Sequence, residues 1–308
     1  MMTLDEKTKY SKLYDLPLNE LINQASQLTE KTFGNKFEFC SLISAKTGKC
    51  EENCKYCAQS SHYRTNIDSH PIVSIENVKT AAKCAKNNGA TRFAIVTSGK
   101  TPQDFDKILE MIKEINNLGL KSCASIGILN EEQAKALKEA GLIRFHHNIN
   151  TAKSYYDSIC TTHTYQDRIN TVKLVQKYGI EVCCGVILGM GETKEQRVEM
   201  ALAIRDLGVE SAPINFLDPI EGTPFENYFD KITSEEILKT LAIFRIIMPK
   251  VVLRYAGGRL KRLSKKEQEL GIKAGVNSIL IGNMLTTIGI TPEEDIETIT
   301  KLGKILYD

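Results

Sequence analysis

The stretch NNGATRFAIVTS, residues 87–98, joins the end of a polar, helix-like run to an apolar run of branched and aromatic side chains through a single glycine. Such a glycine supplies the left-handed turn that closes a helix and sends the chain back into a strand. The same junction recurs at NLGLKSC (117–123), EAGLIRF (139–145), KYGIEVC (177–183) and DLGVESA (206–212). Repeated helix, glycine and strand build βα units, and strict alternation implies a parallel sheet with right-handed crossovers.

Eight strands are expected: FEFCSLI (37–43), TRFAIVTS (91–98), LKSCASIG (120–127), IRFHHNIN (143–150), IEVCCGVIL (180–188), ESAPINFL (210–217), KVVLRYA (250–256) and NSILIG (277–282). Helical periodicity falls near 75–87, 104–117, 131–139, 165–178, 194–206, 234–247 and 265–272, after a polar helical lead over 18–32. Eight units fit a closed (β/α)8 barrel of the TIM type better than an open sheet. An open dinucleotide fold wants a glycine-rich phosphate loop after its first strand, and LGMGETKE (188–195) lacks the third glycine of that fingerprint. The expected organisation is an N-terminal helical extension over 1–36 and the barrel with a C-terminal segment over 37–308.

With 42% hydrophobic and 25% charged residues among 308, the chain carries enough apolar surface for a large core. Lys and Arg total 40 against 38 for Asp and Glu, so no overall field draws in nucleic acid or an anionic membrane. The basic cluster KRLSKK (261–266) is expected to be a solvated helix entry. No apolar run approaches the roughly 20 residues that span a bilayer, and Met1 to Glu30 is polar throughout. The expected location is therefore the cytoplasm, where nine cysteines point to metal binding or catalysis rather than to disulfides.

The first strand leads into GKCEENCKYCAQSSHY (48–63), which holds Cys50, Cys54 and Cys57. Loops after barrel strands form the C-terminal, functional face. A structural zinc would need a fourth ligand, for which His62 is the nearest candidate and no second CxxC follows. An iron–sulfur cluster held by three thiolates instead keeps one iron open to a small molecule. The C-x3-C-x2-C spacing, with Tyr56 before the last cysteine, resembles the signature of the radical S-adenosylmethionine superfamily. The resemblance implies a [4Fe-4S] cluster on Cys50, Cys54 and Cys57, S-adenosylmethionine on the open iron, and Tyr56 near its adenine.

The likeness extends to the biotin synthases. KTGKCEENCKYCAQSSHY (46–63), ATRF (90–93), HHNIN (146–150), TTHTYQDRI (161–169), LGMGET (188–193), PINFL (213–217), GTPF (222–225), LRYAGGR (253–259) and AGVNSIL (274–280) are similar to that family's segments, in its order. The family inserts sulfur between two unactivated carbons of dethiobiotin. An alkyl C–H bond carries no acidic proton, so that chemistry needs a radical supplied by a cofactor. As the resemblance implies, reductive cleavage of S-adenosylmethionine provides a 5′-deoxyadenosyl radical, and an auxiliary iron–sulfur cluster donates the sulfur. It further implies a low-potential electron donor such as flavodoxin or ferredoxin, and a homodimer.

By position, Asn148 matches a ligand-contacting asparagine. Asn150 stands where many members have aspartate beside the ribose, and His146 where they have asparagine. Asn215 matches an asparagine that binds the ureido ring of dethiobiotin, and Arg168 an arginine paired with the S-adenosylmethionine carboxylate. Gly189, Gly191 and Glu192 occupy the turn placed beside the methionine amine. On strand four, alternation is expected to put His146, Asn148 and Asn150 on one face. Cys84 is expected as a small buried hydrophobe, Cys160 as a packing residue, and Cys183 rather than Cys184 as the inward member of its pair.

Many biotin synthases hold a [2Fe-2S] auxiliary cluster by cysteines on strands two, three and five and an arginine on strand seven. Cys123, Cys183 and Arg254 keep three of these positions, whereas the strand-two position is Ala94. Cys40, on strand one, stands where the family commonly has serine. Cys40, Cys123, Cys183 and Arg254 fall on alternate strands and are expected to form one interior layer, with Cys40 as the substitute ligand of a differently built cluster, one of four irons and a spare sulfide. Two alternatives stay open: a sister radical enzyme resembling the hydrogenase maturase or methylornithine synthase, and a non-enzymatic metal-binding module.

Overall fold

In the computed structural model, which describes residues 3–282 and 289–307, helices α1 (Leu4–Ser11) and α2 (Leu18–Phe33) precede β1 (Lys36–Lys46). There follow α3 (Ile75–Asn87), β2 (Arg92–Thr97), α4 (Phe105–Asn117), β3 (Lys121–Ser125), α5 (Glu131–Glu139) and β4 (Arg144–His146). The second half runs α6 (Tyr165–Lys177), β5 (Glu181–Cys183), β6 (Val186–Leu188), α7 (Lys194–Leu207), β7 (Ser211–Phe216), α8 (Ser234–Ile247) and β8 (Val252–Tyr255). It ends with α9 (Arg259–Arg262), α10 (Lys265–Lys273), β9 (Ser278–Leu280), α11 (Pro292–Lys301) and β10 (Ile305–Leu306).

The strands pair in parallel in the order β1-β2-β3-β4-β5-β7-β8-β9, and β9 returns to β1 through Glu38 opposite Ser278, closing the expected (β/α)8 barrel. Side-chain oxygens of Asn130, Thr164, Thr193, Thr233 and Ser264 cap α5, α6, α7, α8 and α10, each answered by the residue three positions on. These reciprocal caps explain why helix starts were legible in the sequence. Among the described residues no helix is long and apolar enough to cross a membrane.

The structure departs from the sequence expectations in four places. The fifth strand breaks into β5 and β6 at Cys184 and Gly185; a Cβ on Gly185 would lie 1.8 Å from the Pro213 carbonyl oxygen, so β7 approaches too closely for a regular ladder. The fourth strand stops at His146, and the chain rejoins the sheet only where Asn150, left-handed at φ 65°, bridges Val186. Cys84 is exposed rather than buried, because the inward stripe of α3 is Val78, Ala82 and Ala85. Unforeseen elements are α1, α9, α11 and β10; α1 buries no residue and is held by its capping box and by ion pairs of Glu6 with Arg205 and Lys7 with Glu199.

Arg245 on α8 is fully buried without a carboxylate partner. Its guanidinium donates to the carbonyls of Met248, Pro249, Val251 and Gly275 and to Asn277 Oδ1, tying the end of α8 to the entries of β8 and β9. Arg245→Leu strands several buried acceptors at once. It is expected to destabilise the fold by on the order of 3–5 kcal/mol, read as a lowered urea midpoint with an unchanged slope.

Candidate active site

A cavity of about 430 Å³ opens at the C-terminal ends of the strands and descends into the barrel. Its rim is the cysteine loop. Gly48, at φ 77°, turns the chain out of β1, and a Cβ there would lie 2.0 Å from Ser69 Oγ. The loop is then braced by the segment 159–163: Lys55 N donates to the Ile159 carbonyl at 2.9 Å, Asn53 N to Thr162 Oγ1 at 3.0 Å, and Thr161 N to Asn53 Oδ1 at 2.9 Å. Cys50, Cys54 and Cys57 all line the cavity. Burial pushes the Cys57 thiol up to about 11 and raises Cys50 as well, so both stay protonated at neutral pH until a metal displaces the proton.

Below the rim, Tyr56, His146, Asn148, Asn150, Arg168 and Asn215 form the walls. Arg168 donates to Tyr156 Oη at 2.5 Å, to His163 Nε2 at 2.8 Å and to the Asn148 carbonyl at 3.1 Å, which fixes its plane. Asn148 Oδ1 accepts from Gly185 N at 2.8 Å, and Asn215 bridges the Val186 carbonyl (3.2 Å) to Gly257 N (3.0 Å). Both amides thus also bridge neighbouring backbone where the sheet is irregular. Asn150 Nδ2 is buried with no acceptor among the described residues. His147, the residue between two of these wall positions, lines the cavity too, so departure from the strand rather than alternation alone brings this set together.

In the turn 188–193, Gly189, Gly191 and Glu192 stand outside the set of residues that line the cavity. Glu192 is buried and spends its carboxylate on Gly189 N and Met190 N, each at 2.8 Å, and on Arg197 Nε at 3.1 Å. It holds the turn that enters α7.

On the floor, Cys40, Cys123, Cys183 and Arg254 are buried around the same cavity, with Ala94 beside them. Arg254 Nη1 donates to Cys183 Sγ at 3.4 Å and Nε to Ser278 Oγ at 2.8 Å, while Nη2 pairs with Glu38. Cys40 and Cys123 share a hydrogen bond that raises Cys40 and brings Cys123 down to about 7. Burial opposes ionisation of Cys183, but Arg254 and His146 outweigh it and the thiol falls to about 6. Cys184 points away into the apolar core.

Sequence reasoning missed the charged frame under this floor. Glu38 is buried among Arg92, Arg144 and Arg254, and Arg144 also pairs with Glu181 at 2.8 Å. Among the described residues, the buried Arg92 Nη1 meets no acceptor, and Arg144 Nη1 makes no hydrogen bond, only an ion-pair approach of 3.5 Å to Glu38 Oε1. Buried donors are rarely left unpaired, so three thiols beside an excess of guanidinium N–H groups suit an anionic, sulfide-bearing group. The signal was present as the arginines of ATRF and LIRF, where each opens a strand. Also missed was Cys160, whose Sγ lies 3.7 Å from Cys54 Sγ and 3.3 Å from His163 Nδ1. It accepts the Cys54 proton, and that bond with those from His163 and Thr162 pulls it down to about 3, against burial. The C-x2-H spacing of Cys160 and His163 could have flagged it.

A closed βα barrel with three cysteines on the loop after its first strand and a deep cavity beneath them defines a radical S-adenosylmethionine enzyme, and residues 45–204 match the Radical SAM superfamily. Residues 213–305 match the Biotin and Thiamin Synthesis associated domain. The chain is 48% identical over 306 residues to the biotin synthase of Acetivibrio thermocellus, covering 98% of this chain and 94% of that protein. It is 46% identical over 286 residues to the biotin synthase of Clostridioides difficile, covering 92% and 87%. The chain belongs to the biotin synthase family of radical S-adenosylmethionine sulfurtransferases. A four-iron cluster and S-adenosylmethionine come with that family. The crystal structure of methylornithine synthase superposes with a TM-score of 0.85 at 18% identity (98% and 94% covered), and a maturase of the [FeFe]-hydrogenase with 0.81 at 19% (98% and 74%), which shows a shared fold.

Proposed function

We propose that this chain converts dethiobiotin to biotin, with Cys50, Cys54 and Cys57 holding the four-iron cluster at the rim and Cys40, Cys123, Cys183 and Arg254 holding an auxiliary iron–sulfur cluster on the floor. The observation that carries the reading is the convergence of these two ligand sets at the top and bottom of one cavity. When bound, the rim cluster with S-adenosylmethionine supplies the 5′-deoxyadenosyl radical, and the floor cluster supplies the sulfur atom.

The chain's own residues hold and orient. Arg168 is fixed by Tyr156 and His163 so that its guanidinium can meet a carboxylate, Tyr56 offers a ring face beside the rim, and the orphaned Nδ2 of Asn150 donates to a ribose hydroxyl. Asn148 and Asn215 each keep an amide N–H beyond their backbone bonds, and with His146 they bind the ureido end of the substrate. Asn215→Ala removes a partly buried hydrogen-bonding group worth roughly 1–3 kcal/mol. It is expected to weaken dethiobiotin binding about ten- to a hundredfold with iron content unchanged, checked by anaerobic calorimetry; unaltered affinity would discard this pose.

The register supports Cys40 as a ligand beside Cys123. Ala94 pairs with Cys123, whereas Cys40 pairs with Arg92, two residues earlier on that strand. Alternate strands of a tilted barrel share one interior layer across such a stagger, and the altered set of Cys40, Cys123, Cys183 and Arg254 holds a four-iron cluster with a spare sulfide in place of the two-iron rhomb. A low-potential donor such as flavodoxin or ferredoxin reduces the rim cluster, the homodimer follows the family resemblance, and nine free cysteines suit the cytoplasm. Anaerobic incubation with dethiobiotin, S-adenosylmethionine and reductant tests the assignment. Biotin and 5′-deoxyadenosine are expected together, and a chain that makes neither contradicts it.

A further inference from the structure

Beside the cysteine loop, the segment 159–163 carries ligand-type side chains that the chemistry proposed above leaves unused. Cys160 Sγ lies 3.7 Å from Cys54 Sγ and 3.9 Å from His163 Nε2. All three residues are buried, and their ligand atoms fall within 4.8 Å of one another. Thiolates and an imidazole nitrogen around one tetrahedral zinc, at bond lengths of about 2.3 and 2.1 Å, stand roughly 3.5–3.8 Å apart. The Cys54–Cys160 separation is close to that a single bound ion imposes, and Cys160–His163 Nε2 is slightly longer.

A second observation concerns the imidazole. His163 Nδ1 bonds to Glu52 Oε2, and a carboxylate accepts, so Nδ1 carries the proton and Nε2 presents its lone pair. A histidine held at one nitrogen by a carboxylate is the usual support of a metal ligand. Arg168 now donates to that lone pair through Nη2 at 2.8 Å and Nε at 3.1 Å, so an ion on Nε2 takes the place of this guanidinium. Glu52 is itself held by Thr162 Oγ1 at 2.5 Å, so the imidazole is fixed before any ion arrives.

We infer that, in the chain before its four-iron cluster is present, Cys54, Cys160 and His163 form a mononuclear site for a thiophilic divalent cation such as zinc, completed by solvent. The two thiol protons leave to solvent and two thiolates balance the dication. Cys54 cannot serve the ion and the cluster together, so each excludes the other; this clause alone rests on the proposed place of Cys54 in the four-iron cluster.

Cobalt(II), titrated anaerobically into the full-length, iron-free chain, is expected to bind at one equivalent with tetrahedral visible bands and thiolate charge transfer. Cys160→Ser and His163→Ala should each weaken binding at least about tenfold, whereas Cys50→Ser should not. Metal-free Cys160→Ser should still take up the four-iron cluster, which shows that it is folded. Absent charge transfer in the wild type, wild-type affinity in Cys160→Ser, or loss of the site in Cys50→Ser would each overturn the ion site. Zinc-loaded wild type should take up far less cluster than zinc-free protein, and equal uptake overturns the exclusion. If zinc-free wild type takes up no cluster at all, the four-iron reading fails instead, and the cobalt titration still decides the ion site.

Discussion

Changing any one of Cys50, Cys54 and Cys57 to alanine is expected to abolish 5′-deoxyadenosine formation from S-adenosylmethionine. The loop presents these thiols from a backbone tied at Asn53, Lys55 and Cys57 to itself and to the segment 159–163, so no neighbouring stretch is free to slide a replacement into place. Losing one of three thiolates leaves a second iron open and the cluster prone to dissociate. The rate should fall at least about a thousandfold, which corresponds to roughly 4 kcal/mol at the transition state. Cys160 stands close enough to Cys54 to demand a control, and the double change Cys54→Ala with Cys160→Ser removes that thiol as a substitute. Wild-type-like formation of 5′-deoxyadenosine by a Cys50→Ala or Cys57→Ala chain would overturn the rim assignment.

Cys40→Ser is expected to have an equally large but separable effect: the variant cleaves S-adenosylmethionine, loses the iron and sulfide above one four-iron cluster, and makes no biotin. Cys40 is 4% exposed, lies on β1 at the step of Arg92, and has its thiol pushed up by the neighbouring Cys123 and by burial. Serine keeps the size and removes the soft ligand. The surrounding Arg92, Arg144 and Arg254 then face two thiols instead of three, with Nη1 of Arg92 and of Arg144 still making no hydrogen bond among the described residues. Full wild-type iron with undiminished biotin would remove Cys40 from the ligand set and restore the plainer reading of a buried strand residue.

The barrel was legible because α5, α6 and α7 each carry their own punctuation: a capping pair at the helix start, a glycine just past its end, then an apolar run. The range expected for α8 coincides with the structure, with the Thr233–Glu236 capping pair at its start and Pro249 just past its end. Boundaries failed where tertiary contact overrode periodicity, as at Gly185, which yields to Pro213, and at Asn150, which turns left-handed. β10 was invisible because its two residues form a strand only by pairing with Lys36 and Phe37 at the far end of the sequence. In the site, the rim cysteines were local in sequence and therefore readable. The frame of Glu38 with three arginines and the contact of Cys160 with Cys54 join residues more than fifty positions apart, and spacing cannot report them. Glu192 shows the converse, a residue prominent by resemblance whose carboxylate also holds its own turn, a local role that resemblance did not report.

The most direct test of two clusters in one cavity is the origin of the sulfur in the product. The chain is reconstituted anaerobically with iron and heavy-isotope sulfide, freed of unbound sulfide, and allowed a single turnover with dethiobiotin and S-adenosylmethionine in buffer holding only light sulfur. The account predicts biotin carrying the heavy isotope from wild type, and none from Cys40→Ser despite continued formation of 5′-deoxyadenosine. Biotin with light sulfur, or labelled biotin from the Cys40→Ser chain, would contradict it.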